Sequence, residues 1–204
     1  MSDVHDPGAI GERVHRHARF VQQGEMQVGK RHFAALAAAV NPLPLYLYNL
    51  PACARNGISA SLAADLRRDV PNIVGVKDSS GDLANLRSFC AVPGFSVMSG
   101  ADGLGLAALQ IGCAGLVSGN ANAAPEPFVD LWRASEAGDA AAAEAAQGRV
   151  DAVRQVLADG RSIANFKAVL VARGVLRSAA VRAPQEAGDD GRRLLAEITA
   201  ITGR

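Results

Sequence analysis

Two side chains that can do chemistry end two consecutive apolar runs of the sequence. Tyr48 closes the run Pro44-Leu-Tyr-Leu-Tyr48, and Lys77 closes the run Ile73-Val-Gly-Val-Lys77. A neutral lysine amine can attack a ketone to form an imine, and a tyrosine hydroxyl beside it can move protons. The pair therefore predicts Schiff-base chemistry.

Each residue taken alone also has a plainer interpretation. Lys77 can be a surface lysine at the start of a loop, and Tyr48 can cap the core with a satisfied hydroxyl. Their positions also allow chemistry, because adjacent parallel strands lie about 4.8 Å apart and their ends can bring two side chains together. In barrel enzymes, the C-terminal ends of the strands build the active site.

The elements that must position this pair alternate along the chain as strand and helix. The predicted strands are apolar without a two-residue alternation, as in parallel sheets covered on both faces. They are Pro44–Tyr48, Ile73–Lys77, Phe95–Ser99 and Gly115–Ser118. Helices are expected at about Lys30–Val40 and from near Ser59, Asp82 and Asp102, where Ser59 and Asp82 are good N-cap types. Four βα units of an α/β fold follow, in a barrel or a doubly wound sheet.

The two ends of the chain differ from this middle part. After Pro125 the strand signals vanish, and Glu126–Ala158, Ser162–Arg173 and Asp189–Ile201 are typical of helices. The opening residues, 1–27, have no hydrophobic period, which predicts a loose arm. We therefore divide the chain into an arm (1–29), a βα region (30–137) and a helical region (138–204).

Composition excludes several classes of function. A hydrophobic content of 49% predicts a folded core, and a formal net charge of +1 gives no basic surface for nucleic acid or an anionic membrane. No apolar run approaches the roughly 20 residues of a membrane span, and residues 1–25 lack an apolar signal segment, so a cytoplasmic location is expected. The widely spaced Cys53, Cys90 and Cys113 predict mostly buried free thiols, and no metal motif is present.

Two of these stretches together resemble a known family. Tyr48-Asn-Leu-Pro51 and Val74-Gly-Val-Lys77-Asp-Ser-Ser-Gly-Asp82 are similar to motifs of the dihydrodipicolinate synthase / N-acetylneuraminate lyase family. Later segments that resemble the family's last two strands and its C-terminal helices are Val97–Asp102, Ala114–Asn122, Asn165–Lys167 and Arg182–Pro184. The resemblance extends over residues 31–190.

The resemblance implies a fold and a reaction. The family consists of class I aldolases and lyases on a TIM (β/α)8 barrel, in which a lysine forms a Schiff base with pyruvate or another 2-oxo acid. Lys77 would be the imine lysine and Tyr48 the proton-relay tyrosine, with no metal or cofactor. Substrate hydroxyls or the imine would be met by Ser79, Gly100, Asp102, Ser118 and the carbonyl of Val117.

Structural roles remain open for the substrate-facing positions. Ser79 and Ser118 can bond loop backbone, Gly100 can permit a turn, and Asp102 can cap the following helix. The glycines of 100–105 do not have the spacing of a dinucleotide-binding loop, which disfavours a small flavodoxin-like binding module.

The sequence departs from the family pattern in two ways. Only four βα units are visible, where a barrel has eight and typically about 250 residues, and no Gly-Thr-Thr-Gly-Glu-type carboxylate loop precedes Tyr48. We therefore expect about the last four βα units of a TIM barrel, followed by C-terminal helices. The second departure is Cys53, which stands where dihydrodipicolinate synthases usually have an arginine.

These observations define the expected function and its alternatives. The expected activity is cleavage of a 2-oxo acid, such as a 2-keto-3-deoxy sugar acid, to pyruvate and an aldehyde. The alternative is a catalytically inactive, truncated or frameshifted family member without the carboxylate-binding half, and Cys53 disfavours a 4-hydroxy-tetrahydrodipicolinate synthase. A small-molecule 2-oxo acid is the expected partner, with no nucleic acid or membrane, and the exposed edges of a half barrel favour a homo-oligomer.

Overall fold

A four-stranded parallel sheet is the centre of the protein. The computed structural model describes residues 29–157 and 162–203. Within those residues, the strands follow chain order across the sheet and are β1 (Leu45–Asn49), β2 (Ile73–Asp78), β3 (Ser96–Ser99) and β4 (Gly115–Leu116). The predicted strands are confirmed to within one or two residues, and helical segments lie between consecutive strands, as in βα units.

Helices connect and follow the strands. They are α1 (29–40), α2 (Pro51–Ala54), α3 (Ala60–Asp69), α4 (Leu83–Cys90), α5 (Gly105–Gln110), α6 (Glu126–Glu136), α7 (Ala140–Leu157), α8 (Ser162–Ala172) and α9 (Gly191–Thr202). Ser59 and Asp82 cap α3 and α4 as predicted, because their side chains accept hydrogen bonds from free amides of the first turn.

One face of the sheet lies under helices. Leu47, Val76 and Val97 point to this face from successive strands and are buried against apolar side chains of α3 and α4. Leu86 and Phe89 of α4 are fully buried in the same core, and each contributes about 1.5–3 kcal/mol by leaving water. This face fixes the strands to the helices.

The opposite face of the sheet, which we call the inner face, is open. Tyr46 and Tyr48 are 43% and 51% exposed, and Val117, just beyond β4, is 44% exposed. The expectation that both faces of every strand are covered is therefore wrong for β1. Alternation explains the outcome, since Leu47 and Asn49, which each follow one of these tyrosines, point to the helix side and are buried.

The C-terminal helices form two further cores. One joins α6 to α7 through Phe128, Leu131 and Val150, and the other joins α7, α8 and α9. The helical prediction for Glu126–Ala158 is confirmed over most of its length, but the stretch is divided into α6 and α7 because Gly138 adopts φ +69° and ends α6. The Asp139 carboxylate then accepts the Ala142 amide, which starts α7.

Three other expectations are corrected or lie outside the described residues. Asp102 does not cap a helix, because it lies inside a 3₁₀ turn (Asp102–Leu104) whose N-cap is Ala101. Cys53 is exposed, whereas Cys90 is half-buried and Cys113 buried, so the buried-thiol prediction is wrong for Cys53. The arm predicted for residues 1–27 lies outside the described residues. Over the described ranges, no helix is long and apolar enough to cross a membrane.

Candidate active site

The ends of β1 and β2 bring Tyr48 and Lys77 together. The two residues are directly paired in the parallel register, so their side chains leave the sheet on the same inner face. Lys77 Nζ donates to the Tyr48 hydroxyl at 3.3 Å and lies 4.4 Å from the centre of the tyrosine ring. The convergence expected from the two apolar runs is present in the structure.

The surroundings of Tyr48 favour its phenolate form. A hydrogen bond from the Ser79 hydroxyl lowers the pKa of Tyr48 most, burial acts in the opposite direction, and the hydrogen bond and charge of Lys77 lower it further. A tyrosine whose pKa is lowered releases its proton more readily, and a base needs that property. The Ser79 and Lys77 side chains thus act on the same group, the hydroxyl of Tyr48.

Gly100 leaves the space that Lys77 and Ser79 occupy. A Cβ at this position would overlap Ser79 Oγ and would lie 2.9 Å from Lys77 Cε. Both separations are below van der Waals contact, so any side chain at position 100 would displace the two functional groups. Sequence reasoning allowed Gly100 a role in a turn, whereas the structure gives it one of close approach.

Asp102 and Ser118 form a second cluster beyond the ends of β3 and β4. The Asp102 carboxylate is 8% exposed. Its Oδ2 accepts the Ser118 hydroxyl at 2.7 Å and the Asn120 side-chain amide at 2.7 Å. Ser118 Oγ also accepts the Ala121 amide at 3.2 Å. In this structure, Asp102 and Ser118 bond each other and the loop.

The hydrogen-bond ladder of the sheet continues one residue beyond each strand. The Ser79 amide donates to the Asn49 carbonyl at 2.8 Å, the Gly100 amide to the Asp78 carbonyl at 2.7 Å, and the Val117 amide to the Ser99 carbonyl at 2.9 Å. Three of the expected substrate-facing residues, Ser79, Gly100 and Val117, are thus bonded to the preceding strand.

A buried network beneath the site was missed by sequence reasoning. Asn49 and Asp78 directly follow Tyr48 and Lys77, so their side chains point to the helix side of the sheet. Asn49 Nδ2 donates to Asp78 Oδ1 at 2.6 Å, and Asn49 Oδ1 accepts the Ile58 amide at 2.8 Å. The signal available in the sequence was one polar residue directly after each apolar run, at a strand position that faces the core.

The Asp78 carboxylate joins several segments of the chain. It is fully buried and accepts the Ser80 hydroxyl at 2.8 Å and the Asn85 amide at 3.3 Å, in addition to Asn49. A buried carboxylate is stable only when donors of this kind surround it. The network ties β1, β2 and the first turn of α4 together directly behind Tyr48 and Lys77.

Metal ligands are not gathered at this site. Across residues 29–157 and 162–203, no three side chains of His, Cys, Asp or Glu come together as a metal ion would require. The groups that converge are an amine, a phenol and hydroxyls, which suit acid, base and nucleophilic chemistry.

Comparison with known proteins agrees with this fold. The family model described as "Dihydrodipicolinate synthetase family" matches residues 20–199, so the chain belongs to the dihydrodipicolinate synthetase family. The family is one of lyases, and its fold is the (β/α)8 barrel, of which residues 29–157 and 162–203 contain a four-stranded part. The resemblance noted in the two strand-end motifs is confirmed.

Particular relatives support the assignment. An uncharacterized DapA-like lyase of Halobacterium salinarum is 38% identical over 167 residues, which cover 81% of this chain and 54% of that protein. A 4-hydroxy-tetrahydrodipicolinate synthase of Nitratidesulfovibrio vulgaris is 36% identical over 115 residues, covering 55% of this chain and 39% of that protein. The chain therefore spans about half the length of the curated relatives that it matches, or less.

This chain also matches only part of the length of the solved structures. The structure of YagE, a prophage protein of E. coli K12 that belongs to the dihydrodipicolinic acid synthase family, was determined in complex with pyruvate. It matches with a TM-score of 0.74 and 28% identity, covering 84% of this chain and 60% of that one. A monomeric dihydrodipicolinate synthase variant matches with a TM-score of 0.77 at 21% identity, which shows the fold.

Proposed function

We propose that this protein is a class I Schiff-base lyase that cleaves a 2-oxo acid, such as a 2-keto-3-deoxy sugar acid, to pyruvate and an aldehyde. The observation that supports the proposal most strongly is the 3.3 Å contact between Lys77 Nζ and the Tyr48 hydroxyl on the open inner face. In this proposal the amine forms the imine and the phenol transfers protons on the same substrate.

The proposed reaction uses these two side chains in sequence. The neutral Lys77 amine attacks the C2 ketone to form a carbinolamine. The Tyr48 hydroxyl gives its proton to the carbinolamine hydroxyl, which leaves as water, so that a protonated imine and a Tyr48 phenolate remain. The Tyr48 phenolate takes the proton of the C4 hydroxyl as the C3–C4 bond breaks, its electrons move into the imine, and the aldehyde leaves. The enamine regains a proton at C3 from Tyr48, and water releases pyruvate.

The substrate class is proposed from the groups around the pair. Ser79, Asp102 and Ser118 offer hydroxyl and carboxylate groups that can hold the hydroxyls of a sugar acid, and Gly100 and the Val117 carbonyl complete the proposed binding surface. Cys53 is exposed on α2, where relatives that act in lysine biosynthesis usually have arginine. A neutral residue at this point favours a substrate that carries hydroxyl groups there over one that carries an acidic group there.

Trapping with borohydride tests the proposal. The chain contains three lysines, Lys30, Lys77 and Lys167. Lys30 is ion-paired with Asp69, and Lys167 donates to the Ala180 carbonyl. Incubation of the folded protein with pyruvate and borohydride is expected to give one reduced adduct, on Lys77, and because trypsin does not cleave at a modified lysine, the adduct appears in peptide 69–87. Lys77→Arg should abolish the adduct and Lys167→Arg should preserve it.

A second candidate function is that of an inactive family member. The observation that favours it is that the 204 residues contain no Gly-Thr-Thr-Gly-Glu-type segment, which relatives use to hold the carboxylate of the 2-oxo acid. Folded protein that gives no adduct on Lys77 at high pyruvate concentration would contradict the lyase proposal for this chain and support the second candidate.

The proposal extends to assembly and location. We propose a cytoplasmic homo-oligomer with a small-molecule 2-oxo acid as its substrate. The open inner face, and the edges β1 and β4, which pair with no further strand among the described residues, support association with further copies.

A further inference from the structure

Two cysteines that the proposed reaction does not use meet on the helix side of the sheet. Cys90 is the last residue of α4, and Cys113 lies in the turn between α5 and β4. Their sulfur atoms are 3.7 Å apart, although the residues are 23 positions apart in sequence. Both precede a strand, so the pair lies toward the amino ends of β3 and β4, whereas Tyr48 and Lys77 lie at carboxyl ends.

The two thiols differ in accessibility. Cys113 is 6% exposed in the main core. Its burial, followed by the adjacent Cys90 sulfur, raises the pKa of the Cys113 thiol to about 12. Cys113 therefore keeps its proton and can donate it to Cys90, while the half-buried Cys90 is the sulfur that a small oxidant reaches.

We propose that Cys90 and Cys113 form a reversible disulfide when the protein meets a peroxide. The Cys90 thiolate attacks one peroxide oxygen, the O–O bond breaks, and Cys90 becomes a sulfenic acid as hydroxide leaves. The Cys113 sulfur then attacks Cys90, the S–O bond breaks, and the Cys113 proton leaves with the oxygen as water. In total, the two thiols lose two electrons and two protons, and one molecule of hydrogen peroxide is reduced to two molecules of water.

The fold allows this bond to close with small movements. The sulfurs must approach from 3.7 Å to the bonding distance of about 2.05 Å. Cys90 ends its helix, so the last turn of α4 can adjust without disturbing the Asp82 cap at the other end. The bond would join α4 to the turn before β4, and it would close a loop that contains the whole of β3. This proposal is independent of the proposed lyase activity.

Peptide mapping of the whole reduced protein tests the proposal. Peptide 88–133 has no internal lysine or arginine, so trypsin releases it with both Cys90 and Cys113, whereas Cys53 lies in peptide 32–55. After treatment with hydrogen peroxide, peptide 88–133 should be two hydrogens lighter and should take no iodoacetamide. Dithiothreitol should restore both alkylation sites.

Exposed Cys53 supplies the internal comparison. It should form sulfenic acid that dimedone traps, because no partner sulfur is placed beside it among the described residues. In Cys113→Ser, Cys90 should also become trappable by dimedone, and Cys53→Ser should leave the lighter peptide unchanged. Circular dichroism confirms that each variant is folded. The proposal is overturned if wild-type peptide 88–133 retains two alkylatable thiols while Cys53 is oxidised, or if Cys90 reaches sulfinic acid without losing the Cys113 thiol.

Discussion

Tyr48 differs from Tyr46 in its neighbours and only slightly in its exposure. Both point to the inner face and are about equally exposed, but Tyr46 lies against the backbone of Gly75, whereas Tyr48 contacts Lys77 and Ser79. The neighbours differ because Tyr48 lies near the carboxyl end of β1, whereas Tyr46 lies near its start. That position could be predicted from the sequence, because Tyr48 and Lys77 each close an apolar run, but the Ser79 contact depends on a loop conformation that no periodicity specifies.

A titration at the residue scale tests the role of Ser79. The chain has two tyrosines, so Tyr46→Phe leaves Tyr48 as the single phenol to observe. Adding Ser79→Ala to this background should raise the pKa of Tyr48, because the largest stabilisation of the phenolate is lost. The measurement is the near-ultraviolet absorbance of tyrosinate against pH.

Tyr46→Phe alone is the control for this titration. An equal Tyr48 pKa in the single and double variants would contradict the assigned cause. The lowered pKa of Tyr48 also makes the free energy of unfolding depend on pH. Ionisation of Tyr48 stabilises the folded protein above the pKa of tyrosine in the unfolded chain, and this contribution is lost as the pH falls through the folded-state pKa.

A substitution at Gly100 tests how closely the site is packed. Gly100→Ala places a methyl group against Ser79 Oγ and Lys77 Cε, so both must shift. Since a displacement of about 1 Å can reduce reactivity by about a hundredfold, we expect the rate of pyruvate adduct formation to fall by about 10- to 100-fold. Mass spectrometry of the borohydride-trapped protein over time provides the rate.

Gly148→Ala is the matched control for Gly100→Ala. Gly148 lies in α7, and a Cβ there meets no atom within 4 Å. Alanine should leave the trapping rate unchanged and stabilise the helix by about 0.5–1 kcal/mol. Equal trapping rates for the two variants would show that Gly100 does not hold space open for Lys77.

At the scale of elements, the sequence predicted where strands and helices lie better than where they break. The strand and N-cap positions followed from apolar runs and from Ser59 and Asp82, which are local signals. The break at Gly138 was missed, because an alanine-rich stretch continues the helical pattern on either side of a single glycine. The Asn49–Asp78 network was also missed, since hydrogen bonds between strands depend on register, which the apolar pattern of each strand leaves unspecified.

The network between β1 and β2 has a measurable contribution to stability. Asn49→Ala removes a donor from the buried Asp78 carboxylate and leaves the Ile58 amide without its side-chain acceptor. We expect a loss of about 2–4 kcal/mol in the free energy of unfolding, because buried polar groups lose their partners. Urea denaturation followed by circular dichroism measures the loss.

The control is Asn122→Ala, at an exposed asparagine whose side chain donates to the Gly119 carbonyl. We expect a change within about 0.5 kcal/mol for this surface position. Similar losses in the two variants would mean that the Asn49–Asp78 pair contributes nothing beyond an ordinary surface contact.

For the whole molecule, the two faces of the sheet set its behaviour in solution. One face is covered by helices, whereas the inner face exposes Tyr46, Tyr48 and Val117, and β1 and β4 are edges with no further strand among the described residues. Unpaired edges of this kind promote association. Sequence analysis predicted such a surface from the number of βα units, which a count of apolar runs supplies directly.

Association is therefore expected for the isolated chain. Size-exclusion chromatography with light scattering should show a species larger than the 21.1 kDa chain, or the protein should be poorly soluble. Replacing Tyr46 and Val117 by lysine should shift the population toward monomer, because charges on the open face repel one another. A monodisperse, stable monomer of the unmodified chain would contradict this prediction.

The backbone hydrogen bonds that continue beyond the strands determine how the candidate site is lost when the protein unfolds. Ser79, Gly100 and Val117 each donate a backbone hydrogen bond to the last residue of the preceding β1, β2 and β3, respectively. A fluctuation that removes one of them from its place must therefore break a hydrogen bond to the neighbouring strand, and bonds held by a packed sheet open at a higher free-energy cost than those of a free loop. The candidate site should thus be lost cooperatively with the fold, without a partly open state that retains the barrel strands but not the site.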